Sequence, residues 1–417
     1  MVAAPRSSPG HVVVIGAGIV GLASAWCLHR DGWRVAVIER ERPGAGASGG
    51  NGAQLSYAYV QPLADPAIWK QLPELLFLAD SPLRWQPLAD PHQWAWCLRF
   101  LAACRAGVSQ RSTAQLLALA AESRRAFDTM LAHTGIDADF SGNGKLVLYA
   151  SPASFDAARR QLALQARLGG PVQTSLTPAQ CVDVEPALAD YAAHIAGGIH
   201  TPSECTADCL RVCEGLHRWL EAVGVRFELG TQATAWVSEG RRLAAVRTNT
   251  GEVAADAFVL AAGIASVRLG RALGLRLPLY PLKGYSITLP LDEAVPAGAA
   301  PRVSVTDASR KVVFARIGKR LRVAGMVELV GEDTHLDPAR IAALQAATRA
   351  VFPRLATPTT PSPWCGLRPA TPTGLPLIGR CAGAPDNLLL NTGHGGLGFT
   401  LAMGSAERVA RALRQPG

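Results

Sequence analysis

The chain has 417 residues, 49% of them apolar and 18% charged, enough for two globular domains or one domain with a large insertion. Its net charge of +9 comes from arginines scattered along the chain, with no basic stripe of the kind that a nucleic-acid footprint requires. No apolar run of about 18 residues is free of charge, and the first apolar run is a structural strand with no secretory character, so a cytoplasmic place of work is expected.

That first run, Val12 to Ile15, is β-branched and reads as a strand buried on both faces. It leads into Gly16-Ala17-Gly18-Ile19-Val20-Gly21. The three glycines meet separate needs: a tight turn, backbone approach to a pyrophosphate, and close packing of the next helix. Leu22 to Arg30 reads as that helix, its N-terminal amides facing phosphate. A second strand, Arg34 to Ile38, delivers Glu39 and then Arg40. A carboxylate at that spacing accepts from ribose hydroxyls and repels a 2′-phosphate, which leaves FAD or NAD.

"RPGAGASGGNGAQLS" follows, too rich in small residues for a helix or strand. It offers Ser48, Asn51, Gly52, Gln54 and Leu55 as further cofactor contacts. Gln61 to Arg105 is punctuated by prolines and holds Trp69, Trp85, Trp94 and Trp96. These rings either cap a core or, with Arg84 and Arg99, meet an anionic membrane surface. Helices are expected at Ser112 to His133 and Ser154 to Leu168, with a strand at Lys145 to Tyr149 between them. Together these pieces read as an inserted domain.

Thr206 to Val223 reads as a helix carrying Cys209 and Cys213 close after Cys205. With no second ligand set nearby, these thiols read as small buried hydrophobes rather than a metal site, and the nine cysteines as reduced. Short strands follow to Val253, and "AFVLAAGIAS" returns to nucleotide chemistry, with Ala262 and Gly263 at a tight turn. Strand-like alternation resumes at Tyr285 to Leu289, Lys311 to Arg316 and Leu321 to Met326, before a helix from Pro338 to Val351. The chain closes with "NLLLNTGHGGLGFTLAMGSAERVARAL": strand, glycine-rich turn, amphipathic helix. Nucleotide-binding pieces at the start, middle and end fit a long, enclosed cofactor, FAD, better than NAD.

"WCGLRPATPTGLPLIG", "LPLYPLKGYSITLP" and "NLLLNTGHGGLGFTLAMGSA", with the N-terminal motif, keep their order along the chain. On these, the sequence resembles the FAD-dependent D-amino-acid oxidase superfamily, and within it the bacterial D-amino-acid dehydrogenases. The resemblance implies an α/β flavoprotein with a discontinuous Rossmann-like FAD-binding domain, residues 1–62, 203–268 and 355–417. It also implies a substrate domain of α+β type built on an antiparallel sheet, residues 63–202 and 269–354. FAD is expected to be noncovalent, although Cys365 lies near the position where some relatives attach it.

In such a family Arg368 would pair with the substrate carboxylate, a role suited to a planar guanidinium. Tyr57 and Tyr285 are candidates to line the pocket or bind substrate, and packed tyrosines account for them equally well. His394 is a candidate general base or a shaper of its turn. Gly366, His394, Gly395, Gly396, Leu397, Gly398, Phe399 and Thr400 are expected against the cofactor. The expected reaction converts a D-amino acid to a 2-oxo acid and ammonia, with electrons leaving to a respiratory acceptor of the quinone type at a peripheral contact with the inner membrane. Glycine, sarcosine and cyclic imino acids such as D-proline share every motif. A flavin-carrying partner subunit without turnover is a reading of another class, against which Arg368 argues.

Overall fold

The computed structural model describes residues 10–66, 68–69, 82–293, 295–355 and 361–415. Much of the tryptophan-rich region, residues 70–81, lies outside the described residues, as do residues 1–9 of the first nucleotide-binding segment.

His11–Ile15 is a central strand of a six-stranded sheet, flanked by Arg34–Glu39 on one side and Ala257–Leu260 on the other, both parallel to it. Leu388–Thr392 continues the parallel order beyond Ala257–Leu260, and only Leu377–Gly379 at the edge runs antiparallel. The unbroken apolar run has a direct cause: Val12 and Val14 face one core and Val13 and Ile15 another. Helices Ile19–Arg30, Ala106–Thr134, Cys209–Ala222 and Gly398–Arg414 cover the first face. A small antiparallel sheet, Ala233–Glu239, Arg242–Thr248 and Glu252–Ala254, covers the second. Segments from both ends of the chain and its middle thus share one sheet, as their composition leads one to expect.

The nine-stranded sheet is mainly antiparallel. Its order runs Ser362–Ala370, Tyr280–Pro290, Arg320–Leu329, Val312–Ile317 and Ser304–Asp307, then Lys145–Tyr149, Gly197–Thr201 and Thr174–Leu176, with Leu83–Trp85 beside Arg320–Leu329. Its core packs under helix Pro338–Val351. The expected boundary at residue 355 requires correction, since Ser362–Ala370 pairs along Tyr280–Thr288 and belongs to this second sheet.

Helix ends follow capping chemistry. The helix expected from Thr206 starts at Cys209, because Asp208 accepts from the amides of Leu210 and Arg211 and fixes the start there. Cys205 precedes it in a two-residue strand, and all three thiols are buried in the core. The strand expected from Lys311 begins instead at Val312, since Lys311 holds φ +53 and leaves the ladder.

Candidate functional site

A cavity of about 650 Å³ is lined from both sheets, by Glu39 of the first and by Tyr285 and Arg368 of the second, with Gln232 and Lys311 from the connections between strands. At its nucleotide end the three glycines differ in what constrains them. Gly16 has φ +106, and a Cβ there would lie 2.6 Å from the Ala261 carbonyl oxygen. One on Gly21 would lie 1.9 Å from the Gly16 oxygen, so this glycine serves helix packing and does not line the cavity. Gly18 faces the cavity, and a Cβ there would meet only Ser48 Oγ, at 3.5 Å.

The N-cap of helix Ile19–Arg30 is Gly18, which has no side chain to cap it, and the first turn holds no acid. That leaves a positive helix end suited to a pyrophosphate. Ile19 N donates to Ser48 Oγ at 3.1 Å. Glu39 accepts from Ala17 N at 2.7 Å and from Glu41 N at 3.0 Å, one bond to each carboxylate oxygen. Each oxygen keeps acceptor capacity for a ribose hydroxyl. Asn391 also lines the cavity; its Nδ2 donates to Ser24, and its buried Oδ1 has no partner. On the cavity wall, such an acceptor offers a polar ligand a partner. These residues fit an adenine dinucleotide.

Val20, Arg40, Asn51, Gly52, Gln54, Ala262, Gly263 and Gly366 line the same cavity, as do His394, Gly395, Gly396, Gly398 and Phe399. Leu55, Leu397 and Thr400 do not. Leu55 is fully buried and Leu397 packs against the same core. Thr400 Oγ1 accepts from Ser56 N and donates to the Gln54 oxygen, which ties the glycine-rich loop to the last helix.

At the sheet end, Arg368 crosses its neighbouring strand to donate from Nη1 to the Met326 oxygen at 3.0 Å. Two features of the sheet permit this. Gly284 lies beneath the guanidinium, and a Cβ on it would be 2.1 Å from Nη2. A bulge between Lys283 and Tyr285 leaves Met326 at φ +65 in the facing strand. Burial lowers the Arg368 pKa to about 10, which leaves it charged at neutral pH, and among the described residues no carboxylate pairs with it.

Tyr285 lines the cavity, and its hydroxyl donates to Glu328 Oε2 at 2.9 Å. Glu328 in turn accepts from Arg340 Nε at 2.7 Å. Burial and the adjacent Glu328 carboxylate push the Tyr285 pKa up, so its proton stays on the hydroxyl. Trp364, which the motif reading passes over, is lodged between two glycines. A Cβ would lie 2.3 Å from its ring at Gly50 and 2.2 Å at Gly366.

Two expected substrate or acid-base residues stand elsewhere or in another state. Tyr57 is buried in the core of the first sheet, under the Arg124 guanidinium at 5.3 Å, and does not line the cavity. His394 lines the cavity, yet its Nε2 is 3.0 Å from Ser405 Oγ inside the last helix, and burial lowers its pKa to about 3. It is therefore neutral at physiological pH and only weakly basic, which disfavours the general-base role. Below about pH 6.5 the unfolded chain takes up a proton that the native ring refuses, so stability falls as the pH is lowered. Between about pH 6.5 and 5 this accounts for about 2 kcal/mol. Denaturant titrations at the two pH values should show a smaller loss in His394→Gln than in the wild type; equal losses would remove His394 from this role.

Residues 11–412 match the family described as FAD dependent oxidoreductase. The chain belongs to that family. It is 47% identical over 409 residues to D-amino acid dehydrogenase 2 of Ralstonia nicotianae, covering 96% of this chain and 95% of the relative. It is 41% identical over 403 residues to D-amino acid dehydrogenase of Paramagnetospirillum magneticum, covering 96% and 94%. Among solved structures, glycine oxidase from Bacillus cereus superposes with a TM-score of 0.74 at 19% identity, over 97% of this chain and 95% of that one. L-proline dehydrogenase from P. horikoshii superposes with a TM-score of 0.75 at 18% identity, over 98% and 94%. The likeness to these structures is one of fold, and the cofactor that the family implies is FAD.

Proposed function

We propose that this chain oxidises free D-amino acids at the Cα–N bond, giving a 2-oxo acid and ammonia. The observation that carries the reading is Arg368: a guanidinium on the cavity wall with no protein carboxylate to pair with among the described residues, held by Met326 over Gly284. The names of the relatives with 41–47% identity support the same substrate class. Bound FAD supplies the acceptor for the hydride leaving Cα.

The protein's own residues supply position and field. Gly16, Gly18 and Glu39 hold the dinucleotide; Arg368 takes the substrate carboxylate as a bidentate pair and so fixes the direction of Cα–H. The helix Gly398–Arg414 begins on the cavity with no cap from its N-cap side chain and no acid in its first turn, which favours negative charge developing nearby. Water completes hydrolysis of the imine.

The test is an anaerobic titration of the purified yellow protein with D-amino acids, glycine, sarcosine and D-proline, recording which bleaches the flavin band. Bleaching by D-amino acids is expected. Bleaching by glycine, sarcosine or D-proline alone would replace the reading, and bleaching by none would point to a partner subunit without turnover.

FAD is held without a covalent bond in this reading; the Cys365 thiol lines the cavity and donates to the Thr334 oxygen at 3.1 Å. Acid precipitation should then release all the yellow colour; flavin retained in the pellet would overturn this.

Electrons pass, on the same reading, to a quinone at the inner membrane face. Among the described residues no helix is long and apolar enough to cross a membrane. Trp94, Leu98 and Arg99 form an exposed face of helix Pro91–Ala103, and Trp69 is exposed as well. Trp96 is different: it is buried and donates to the Ala370 oxygen at 2.9 Å. Trp94→Ser alone should therefore weaken co-sedimentation with anionic liposomes at low salt and leave anaerobic flavin reduction unchanged. A wild type that stays in the supernatant would remove the membrane from the scheme.

A further inference from the structure

Arg368 shares the sheet end of the cavity with a second cation. Lys311 lines it as well, one residue before the strand Val312–Ile317, with its backbone at φ +53. That angle closes the turn of residues 308–311, which joins Ser304–Asp307 to its antiparallel partner Val312–Ile317.

Register brings the two cations to one place. Val312 and Tyr285 both pair with Gly325, from opposite sides of the same strand. Arg368 reaches over from the far side to Met326, the next residue. Lys311 comes from the near side, its carbonyl oxygen only 2.9 Å from where a Cβ on Gly325 would stand. Gly284, beneath the guanidinium, carries no side chain to fill the cavity at that point.

The charge balance here is one-sided. Carboxylates lining the cavity are Glu39 and Glu41, both at the nucleotide end. Among the described residues Lys311 has no ion-pair partner, and its side chain is exposed where it lines the cavity. An α-carboxylate on Arg368 would leave this second cation unanswered. Unpaired and on the cavity wall, it is free to meet an anion.

We propose that Lys311 receives a second carboxylate, so that the preferred substrates are acidic D-amino acids, D-glutamate and D-aspartate. The assignment rests on the D-amino-acid reading above for the identity of the oxidised substrate. The match to two carboxylates stands on the cavity itself.

Both halves can be tested on the flavin-loaded protein. Flavin reduction is followed anaerobically with D-glutamate, D-aspartate, D-alanine and D-leucine, and binding of glutarate and butyrate is followed by perturbation of the flavin spectrum. The wild type should favour the acidic substrates and glutarate. In Lys311→Met the D-glutamate to D-alanine efficiency ratio and the glutarate to butyrate affinity ratio should each fall roughly 10- to 100-fold, the worth of one charged hydrogen bond, with Lys311→Arg recovering part of both.

Ratios unchanged by Lys311→Met would overturn the assignment, whether because nothing moves or because all substrates fall together, as for a proton acceptor. So would a wild type that prefers D-alanine or D-leucine. Should no D-amino acid reduce the flavin, the reaction reading fails, while the glutarate ratio still decides the role of Lys311.

Discussion

Arg368→Lys should slow anaerobic flavin reduction by D-amino acids by about 2 to 4 kcal/mol in transition-state terms, through loss of the planar fork that orients the substrate. Flavin content should stay at the wild-type level. The same wall offers a second route to this loss. Gly284→Ala keeps the arginine but places a methyl 2.1 Å from its Nη2, so the guanidinium must leave its place over the strand and its bond to Met326. Two variants of opposite chemistry, one altering the clamp and one its floor, should then share a kinetic defect. Normal single-turnover reduction in both would take Arg368 out of the substrate site.

Gly18→Val should yield folded protein that purifies nearly colourless. The nearest atom to a Cβ at Gly18 is Ser48 Oγ at 3.5 Å, an ordinary contact, so the polypeptide itself has room for it. The branched side chain would instead occupy the side of the turn where the pyrophosphate approaches. Gly16→Val is the control of opposite kind, since positive φ and the Ala261 carbonyl make the fold itself its victim. Circular dichroism and the visible flavin band separate the two: native spectrum without flavin for Gly18→Val, loss of both for Gly16→Val. A Gly18→Val protein with full flavin absorbance would show that the cradle lies elsewhere.

The nucleotide half was legible because its signals are local: an apolar strand, three glycines at fixed offsets and an acid at the end of the next strand all fall within residues 11–40. The floor of the substrate end was not. Gly284 matters because of Arg368, 84 positions later, and a glycine beside the more conspicuous Tyr285 carries no mark of that. Lys311 looked like the first residue of an alternating strand, and only its backbone angle shows that it leaves the ladder. Tyr57 followed a glycine-rich loop that does meet the cavity, but the chain turns into the core within a few residues. The tryptophan pair could have been separated from spacing alone. Positions 94 and 96 are two apart on a helix and face different ways, so one ring is half exposed and the other buried.

The six-stranded sheet that carries the cofactor cradle is written in the chain out of spatial order. Its strand His11–Ile15 is translated before its neighbour Ala257–Leu260, and Leu388–Thr392 with the helix that follows comes later still. No nascent chain short of residue 388 owns a finished cradle, however well its first helix is formed. Capture of FAD is therefore a late step of biogenesis, coupled to docking of the final helix against Ile19–Arg30 and not to the appearance of the glycine motif on the ribosome.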